Sequence, residues 1–385
     1  MFLLKLIFRN ALRHKLRTFL TILGLALAVM AFGLIRTFIT AWYSGADAAA
    51  PDRLATRNAV SIIFPLPLAY KEQIEKIDGV EEVTYANWFG GIYVDPQNFF
   101  ANFAVDPPTF FKIYPEYLVK PEYMEAFIGE RKAVLVGRKL ADRFNWKIGD
   151  QVNLIGTIYP GDWPFVIRGI YTGKDETIDE TLFMFRWDYL DETMRQTMPG
   201  RAGQIGWYVI RISDANRAAE ISELIDARFD NSLAETLTET EKAFQLGFVQ
   251  MAGTIITGLQ IISGLIIGII LLVLANTMAM SARERIPEYA YLKTIGFRAF
   301  HLIGLVGGES LFIAGLGAIT GLILLFLVSR PIAIAISAFF PVFKLQPVTL
   351  ILALGASVVV GLTAAIFPVT RAVRMKIIEG LRVVE

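Results

Sequence analysis

The chain has 385 residues, of which 54% are hydrophobic and 19% charged, with a formal net charge of +1. So much apolar content with so little charge excludes a disordered or nucleic-acid-binding chain. The near-neutral total hides a partition: Tyr43 to Lys242 carries 21 basic and 31 acidic residues, and the remainder 16 basic and 5 acidic, as in a chain that faces two compartments. Cysteine is absent, which removes disulfides, thiolate metal sites and cysteine nucleophiles.

In chain order, residues 1–17 predict an amphipathic helix, with Lys5, Arg9, Arg13 and Arg17 at i+4 steps against apolar Leu3/Leu4, Ile7/Phe8 and Ala11/Leu12. Such a helix is expected to lie on the inner leaflet, its cations near anionic headgroups. A first span follows over 18–42, uncharged from Thr18 to Ile35. Residues 43–245 read as an external α+β domain. It has helices at Pro67 to Ile77 and Gly137 to Phe144, and strands at Val80 to Trp88, Ala133 to Val136, Gln151 to Ile155, Phe165 to Tyr171 and Ile205 to Ile212. Asp214 then caps a helix with Ile221, Leu224, Ile225 and Phe229 on one face. The first and last units of this domain are expected to pack together, leaving about 96–200 as an inserted lobe.

The second span, 246–282, lies in a run from Ala243 to Ala282 without one ionisable residue. This exceeds the roughly 20 residues that a bilayer needs and predicts a stalk beyond the lipid. A short cytoplasmic helix at 283–298, a third span at 299–329, an external link at 330–346, a fourth span at 347–368 and a tail at 369–385 complete the order. Basic residues cluster in 1–17, 283–298 and the tail, which places both termini in the cytoplasm and 43–245 outside. The expected fold class is a membrane protein of four transmembrane α-helices, with a large extracytoplasmic α+β domain inserted between helices 1 and 2.

Catalytic chemistry finds little support. The two histidines, His14 and His301, assemble neither a zinc triad nor a Ser-His-Asp set, and around Gly173-Lys174 the phosphate-cradling glycine loop is missing. No metal site and no directly bound cofactor is expected. Glu309 falls ten residues beyond Ala299, about 15 Å along a helix and near the middle of a core about 30 Å thick. It should be protonated or face polar neighbours, as a proton or substrate contact or as an inter-helix hydrogen bond. Ser310 reads as a packing residue. Gly264/Gly268, Gly304/Gly308 and Gly317/Gly321 repeat the spacing that lets helix backbones approach, within the chain or between copies. Phe99, Phe100, Phe103, Phe110 and Phe111 are either core or an exposed rim that meets substrate or an adaptor.

The segment Arg283-Glu284-Arg285-Ile286-Pro287-Glu288-Tyr289-Ala290-Tyr291-Leu292-Lys293-Thr294-Ile295-Gly296 is amphipathic and mixed in charge, suited to a protein groove. It resembles the coupling segment of the FtsX-like ABC transporter permease family. Asn276-Thr277-Met278, Gly308-Glu309-Ser310 and the closing pattern from Pro368 to Arg382 are similar to that family as well. Val136-Gly137, Leu140-Ala141, Gly149-Asp150 and Val166 to Ile170 resemble the MacB-type periplasmic core domain.

The resemblance implies a permease that dimerises, in a plasma or inner membrane, and binds an ABC ATPase through Arg283, Glu284, Arg285, Glu288, Tyr289, Leu292, Lys293 and Gly296. Without a fused amino-terminal ATPase, it implies a separate ATPase chain carrying ATP and Mg. ATP-driven motion would reach the external domain through the long second span, to export or extract a lipid, lipoprotein, peptide or amphiphilic drug. A periplasmic adaptor and membrane lipids are the other expected partners. The alternative is a signalling permease that switches an envelope hydrolase.

Overall fold

The computed structural model describes residues 2–337, 339–340 and 342–378. The tail beyond Ile378, with Glu379, Leu381 and Arg382 of the closing pattern, lies outside them. Two compact units emerge. One comprises residues 1–41, 253–334 and 343–385, the other residues 42–252 and 335–342.

In the first unit, α1 (Phe2–Ala11) turns at residues 12–14 into α2 (Lys15–Ala48), whose carboxyl end enters the second unit.

The second unit is built on one mixed sheet. Its strands are β1 (Arg53–Asn58), β3 (Val80–Trp88), β4 (Gly91–Ile92), β5 (Asn102–Val105), β7 (Ala133–Gly137), β8 (Gln151–Gly156), β9 (Gly161–Gly173), β10 (Phe183–Arg186), β12 (Trp207–Ile212) and β13 (Thr236–Thr240). They run in the order β13-β1-β12-β3-β5-β10-β7-β9-β8-β4, with β6 (Tyr117–Leu118) pairing β9 and a separate pair of β2 (Leu66–Pro67) with β11 (Gln204–Ile205). β5/β10 and β7/β9 are parallel and the other neighbours antiparallel. The helices are α3 (Lys71–Ile74), α4 (Pro107–Ile113), α5 (Pro121–Gly129), α6 (Arg138–Phe144), α7 (Trp187–Thr197), α8 (Ala218–Arg228) and α9 (Glu241–Met251).

The expected lobe at 96–200 is not a separate body. Its strands extend the same sheet through β3/β5, where Ala86, Asn87 and Trp88 pair with Val105, Ala104 and Phe103. One apolar core accordingly runs from Leu54 and Ile210 to Phe165 and Phe183. The helix expected over Pro67 to Ile77 is cut to a 3-10 turn and α3, because Leu66 and Pro67 are drawn into the β2/β11 pair. On α8, Ile221 and Ile225 are buried, with Phe229 just after it, whereas Leu224 faces solvent.

Returning to the first unit, the chain forms α10 (Gly253–Glu284), α11 (Ile286–Thr294), α12 (Ala299–Ala335) and α13 (Pro347–Arg374). Together with α2, the helices α10, α12 and α13 are long and apolar enough to cross a membrane. The expected second span is divided: α9 ends at Met251 and α10 begins at Gly253, where the weak helix propensity of glycine tolerates an interruption. The third span runs on to Ala335, so the link begins later than residue 330.

Glycine spacing sorts the helix contacts. A Cβ on Gly317 would lie 2.5 Å from Leu25 Cβ and one on Gly321 2.6 Å from the Ala26 carbonyl oxygen, so α2 and α12 approach to backbone distance there. Gly308 sits against Ile7 of α1. A Cβ on Gly264, Gly268 or Gly304 would meet nothing within 4 Å, so these three pack no helix within the chain among the described residues. Gly321→Val should therefore cost about 1–3 kcal/mol by overpacking and lower the melting temperature in detergent, with Gly304→Val unchanged. Equal melting of the two variants would contradict this packing.

Candidate functional site

The helix α11 is nine residues long, with Pro287 in its first turn, where a missing N–H is harmless, and Gly296 beyond its end at φ +97°. Arg283 and Glu284 belong to the last turn of α10, and Arg285 forms the corner between the two helices. Four sets of contacts converge on this corner, and each comes from a different part of the chain.

The first comes from the α1–α2 turn. Arg13 pairs with Glu288. Arg17 grips Glu284 with both terminal nitrogens, at 2.7 and 3.0 Å, and His14 Nε2 lies 3.1 Å from the same carboxylate. The hydrogen bond from Arg13 to Glu288, with the charge of that carboxylate, holds the guanidinium above its ordinary pKa. This corrects the reading of the head as a helix whose cations all meet headgroups. Of the expected apolar stripe, Phe8 and Leu12 are exposed, Ala11 is buried and Ile7 packs against Gly308, while Arg13, His14 and Arg17 are turned onto α10 and α11.

A second set comes from α12. Arg285 Nη1 donates to Glu309 Oε2 at 2.7 Å, with both side chains under 5% exposed, and Ser281 Oγ lies 3.4 Å from the other oxygen. Glu309 thus faces polar neighbours inside the bundle and makes the inter-helix hydrogen bond of the second reading, here as a buried pair with Arg285. α12 has 37 residues, about 55 Å, and is longer than a core of about 30 Å. Next to Glu309, Ser310 Oγ donates to the Gly361 carbonyl at 2.6 Å, joining α12 to α13.

Thirdly, Lys293 Nζ donates to the carbonyls of Val373 and Met375, each at 2.8 Å, and so caps the end of α13 with a cation. The fourth set is apolar. Tyr289 and Ala290 are buried, and Leu292 packs against the same cluster as Leu274, Met278 and Leu302. Burial pushes the Tyr289 hydroxyl up to about 12.

Of the eight residues expected to face an ATPase, Arg285, Tyr289, Leu292 and Lys293 therefore point into the bundle. Glu284 and Glu288 are engaged by α2 and the turn before it, and Arg283 and Gly296 are exposed. The outward apolar side chains are Tyr291, 62% exposed, and Ile295, 57% exposed, one helical turn apart. Sequence reasoning missed both, although their i, i+4 spacing was the available signal.

The five phenylalanines also divide. Phe100 and Phe110 are core residues, the first of their two readings, and Phe99 is exposed. Phe103 and Phe111 are partly buried against the cluster of Val105, Phe127 and Tyr171.

Two family models match the chain: one described as the MacB-like periplasmic core domain over residues 18–228, more than half of it, and one as the FtsX-like permease C-terminal region over 260–377. Among curated proteins, the macrolide export ATP-binding/permease protein MacB of Nitrobacter winogradskyi is 26% identical over 264 residues, which cover 64% of this chain and 38% of that protein. The chain thus spans well under two thirds of that relative's length. The extracellular domain of the noncanonic ABC-type transporter YknZ from Gram-positive bacteria is 10% identical, with a TM-score of 0.34 over 49% of this chain and 100% of that domain. A permease domain from Porphyromonas gingivalis is 13% identical, with a TM-score of 0.32 over 49% of this chain and 88% of that one.

Proposed function

We propose, for a chain that belongs to the MacB- and FtsX-like family of ABC transporter permeases, that it is the membrane subunit of an exporter driven by a separate ATPase. The observation that carries this reading is the corner at Arg285. The ends of α10, α12 and α13 and the turn before α2 are all tied to α11, which leaves Tyr291 and Ile295 facing outward. A force applied to α11 reaches every span through polar contacts that are short and, at Arg285, buried.

In this reading α11 lies in the cytoplasm with both termini, the basic flanks facing the inner leaflet of the plasma membrane. ATP and Mg stay on the ATPase. Motion passes along α10 and α9 to the inserted domain, which moves an amphiphile already outside the membrane, with a periplasmic adaptor as a further partner. The face of α10 that carries Gly264 and Gly268 is open to a second copy of the chain.

Co-purification from the native host, with mass spectrometry of the associated chains, tests the proposal. The wild type should bring down an ABC ATPase. Tyr291→Asp and Ile295→Asp should each lose it, at least about tenfold if the exposed aromatic or aliphatic group is an anchor of the interface, while melting as the wild type does. Leu292→Asp should instead lower the melting temperature, because a charge enters the apolar cluster. An ATPase retained by both outward-facing variants would remove α11 as the dock.

A further inference from the structure

We propose that a cavity in the inserted domain binds a lipophilic cation, an apolar body of a few rings carrying one positive charge. This deepens the export reading and rests on it for its transport meaning, but the site stands on its own geometry. The cavity measures about 330 Å³ and lies between β1, β5, β12, α4 and α9, where the carboxyl end of α2 also enters. A volume of that order suits a small ligand.

Its apolar wall is aromatic and continues out to the surface. Phe339 stacks on Phe99 at 5.8 Å and 11°, Phe99 lies 6.3 Å from Trp88 and Trp88 5.2 Å from Phe103. Phe103 in turn meets Trp207 at 5.8 Å, and Trp207 meets Phe244 at 6.1 Å. The last three rings line the cavity, whereas Phe339, Phe99 and Trp88 are 69%, 41% and 36% exposed. A monomer that leaves such a row open to solvent offers it to a ligand.

The sign of the charge follows from the polar lining. Among the described residues Arg53 is the one cation on the cavity wall, which Glu116 and Glu241 also line; Asp179 lines it too, but burial raises its pKa and its carboxyl accepts from Thr181. Arg53 spends its contacts inside the wall: Nε on Glu241 and Nη1 on Glu116, each at 2.6 Å, and Nη1 on the Ile113 carbonyl at 3.2 Å. The carboxylates therefore outnumber the cation, and the aromatic faces add an electrostatic preference for positive charge. An anion would meet the carboxylates, with the one guanidinium already held by two of them.

Equilibrium dialysis of radiolabelled tetraphenylphosphonium against the detergent-solubilised full chain, with empty micelles subtracted, tests the site. Tetraphenylborate serves as the anion of the same shape. Saturable binding of the cation is expected, at least about tenfold tighter than that of the anion, from one close charge and one cation–π face. Ala101→Trp, which fills the cavity from its wall, should abolish it. Glu116→Gln keeps shape and an acceptor for Arg53, leaves the Arg53–Glu241 pair in place and should weaken the cation about tenfold, so the test survives if Ala101→Trp fails to fold. Equal affinity for the two ions, or cation binding unchanged in Glu116→Gln, would overturn the proposal. Because no ATPase is present in the dialysis, that failure leaves the docking reading intact, and loss of docking leaves this site intact.

Discussion

Arg285→Ala should cost the membrane unit about 3–5 kcal/mol of stability, the usual penalty for stranding one member of a buried ion pair. Glu309 is left inside α12 with Ser281 at 3.4 Å as its remaining polar contact. Replacing both residues tells more. Arg285 Nη2 is buried without a hydrogen-bond partner among the described residues, so the pair does not fully offset its own desolvation. The double variant Arg285→Met with Glu309→Met should then melt within a few degrees of the wild type, while each single variant melts well below it. The cycle measures the coupling, and additive losses would show that the pair does not act as a unit. If the double variant is stable and still binds the ATPase but no longer responds to it, the pair is there to transmit movement rather than to hold the fold.

The four spans were legible in the sequence because hydropathy is a property of consecutive residues, and every apolar run was long enough for a membrane core. Several strands were legible for a similar reason: Val80 to Trp88 alternates locally and forms β3 over the same residues. What failed depended on partners far along the chain. Glu288 meets Arg13, and Glu284 meets Arg17; nothing local to the head distinguishes a cation bound for a headgroup from one bound for a carboxylate. The rotation of α11 about its axis is set by α10, α12 and α13, so Leu292, expected to face the ATPase, packs inward while its neighbour Tyr291 is exposed. Likewise, an 11-stranded sheet joins through β3/β5 the first and last units of the domain to the lobe expected at about 96–200.

Arg53→Met should be the most damaging single change in the inserted domain, lowering its stability by about 3–5 kcal/mol through two stranded carboxylates. Arg53 opens β1, and Glu241 opens α9 directly after the β13 residue Thr240, which pairs with Leu54. Tyr114 braces both, its ring 4.5 Å from the guanidinium and its hydroxyl donating to Glu241 at 2.8 Å. Burial, with the charge of Glu241, pushes that hydroxyl well above its ordinary range, so it stays protonated and keeps donating. The cluster thus fastens the first turn of α9 to the edge of the sheet, at the helix through which movement of α10 would enter the domain. Arg53→Lys separates charge from geometry: a single ammonium cannot serve Glu116, Glu241 and the Ile113 carbonyl as the guanidinium fork does, and should recover only part of the loss. Thermal unfolding ranks the variants, and trypsin cleavage after Lys242, in the first turn of α9, reports whether that turn comes loose. Arg217→Ala, which removes an exposed pair with Glu220, should leave both readouts unchanged. If Arg53→Met melts as the wild type does and Lys242 stays protected, α9 is held by its apolar face alone, with Phe244 and Val249 the residues to test next.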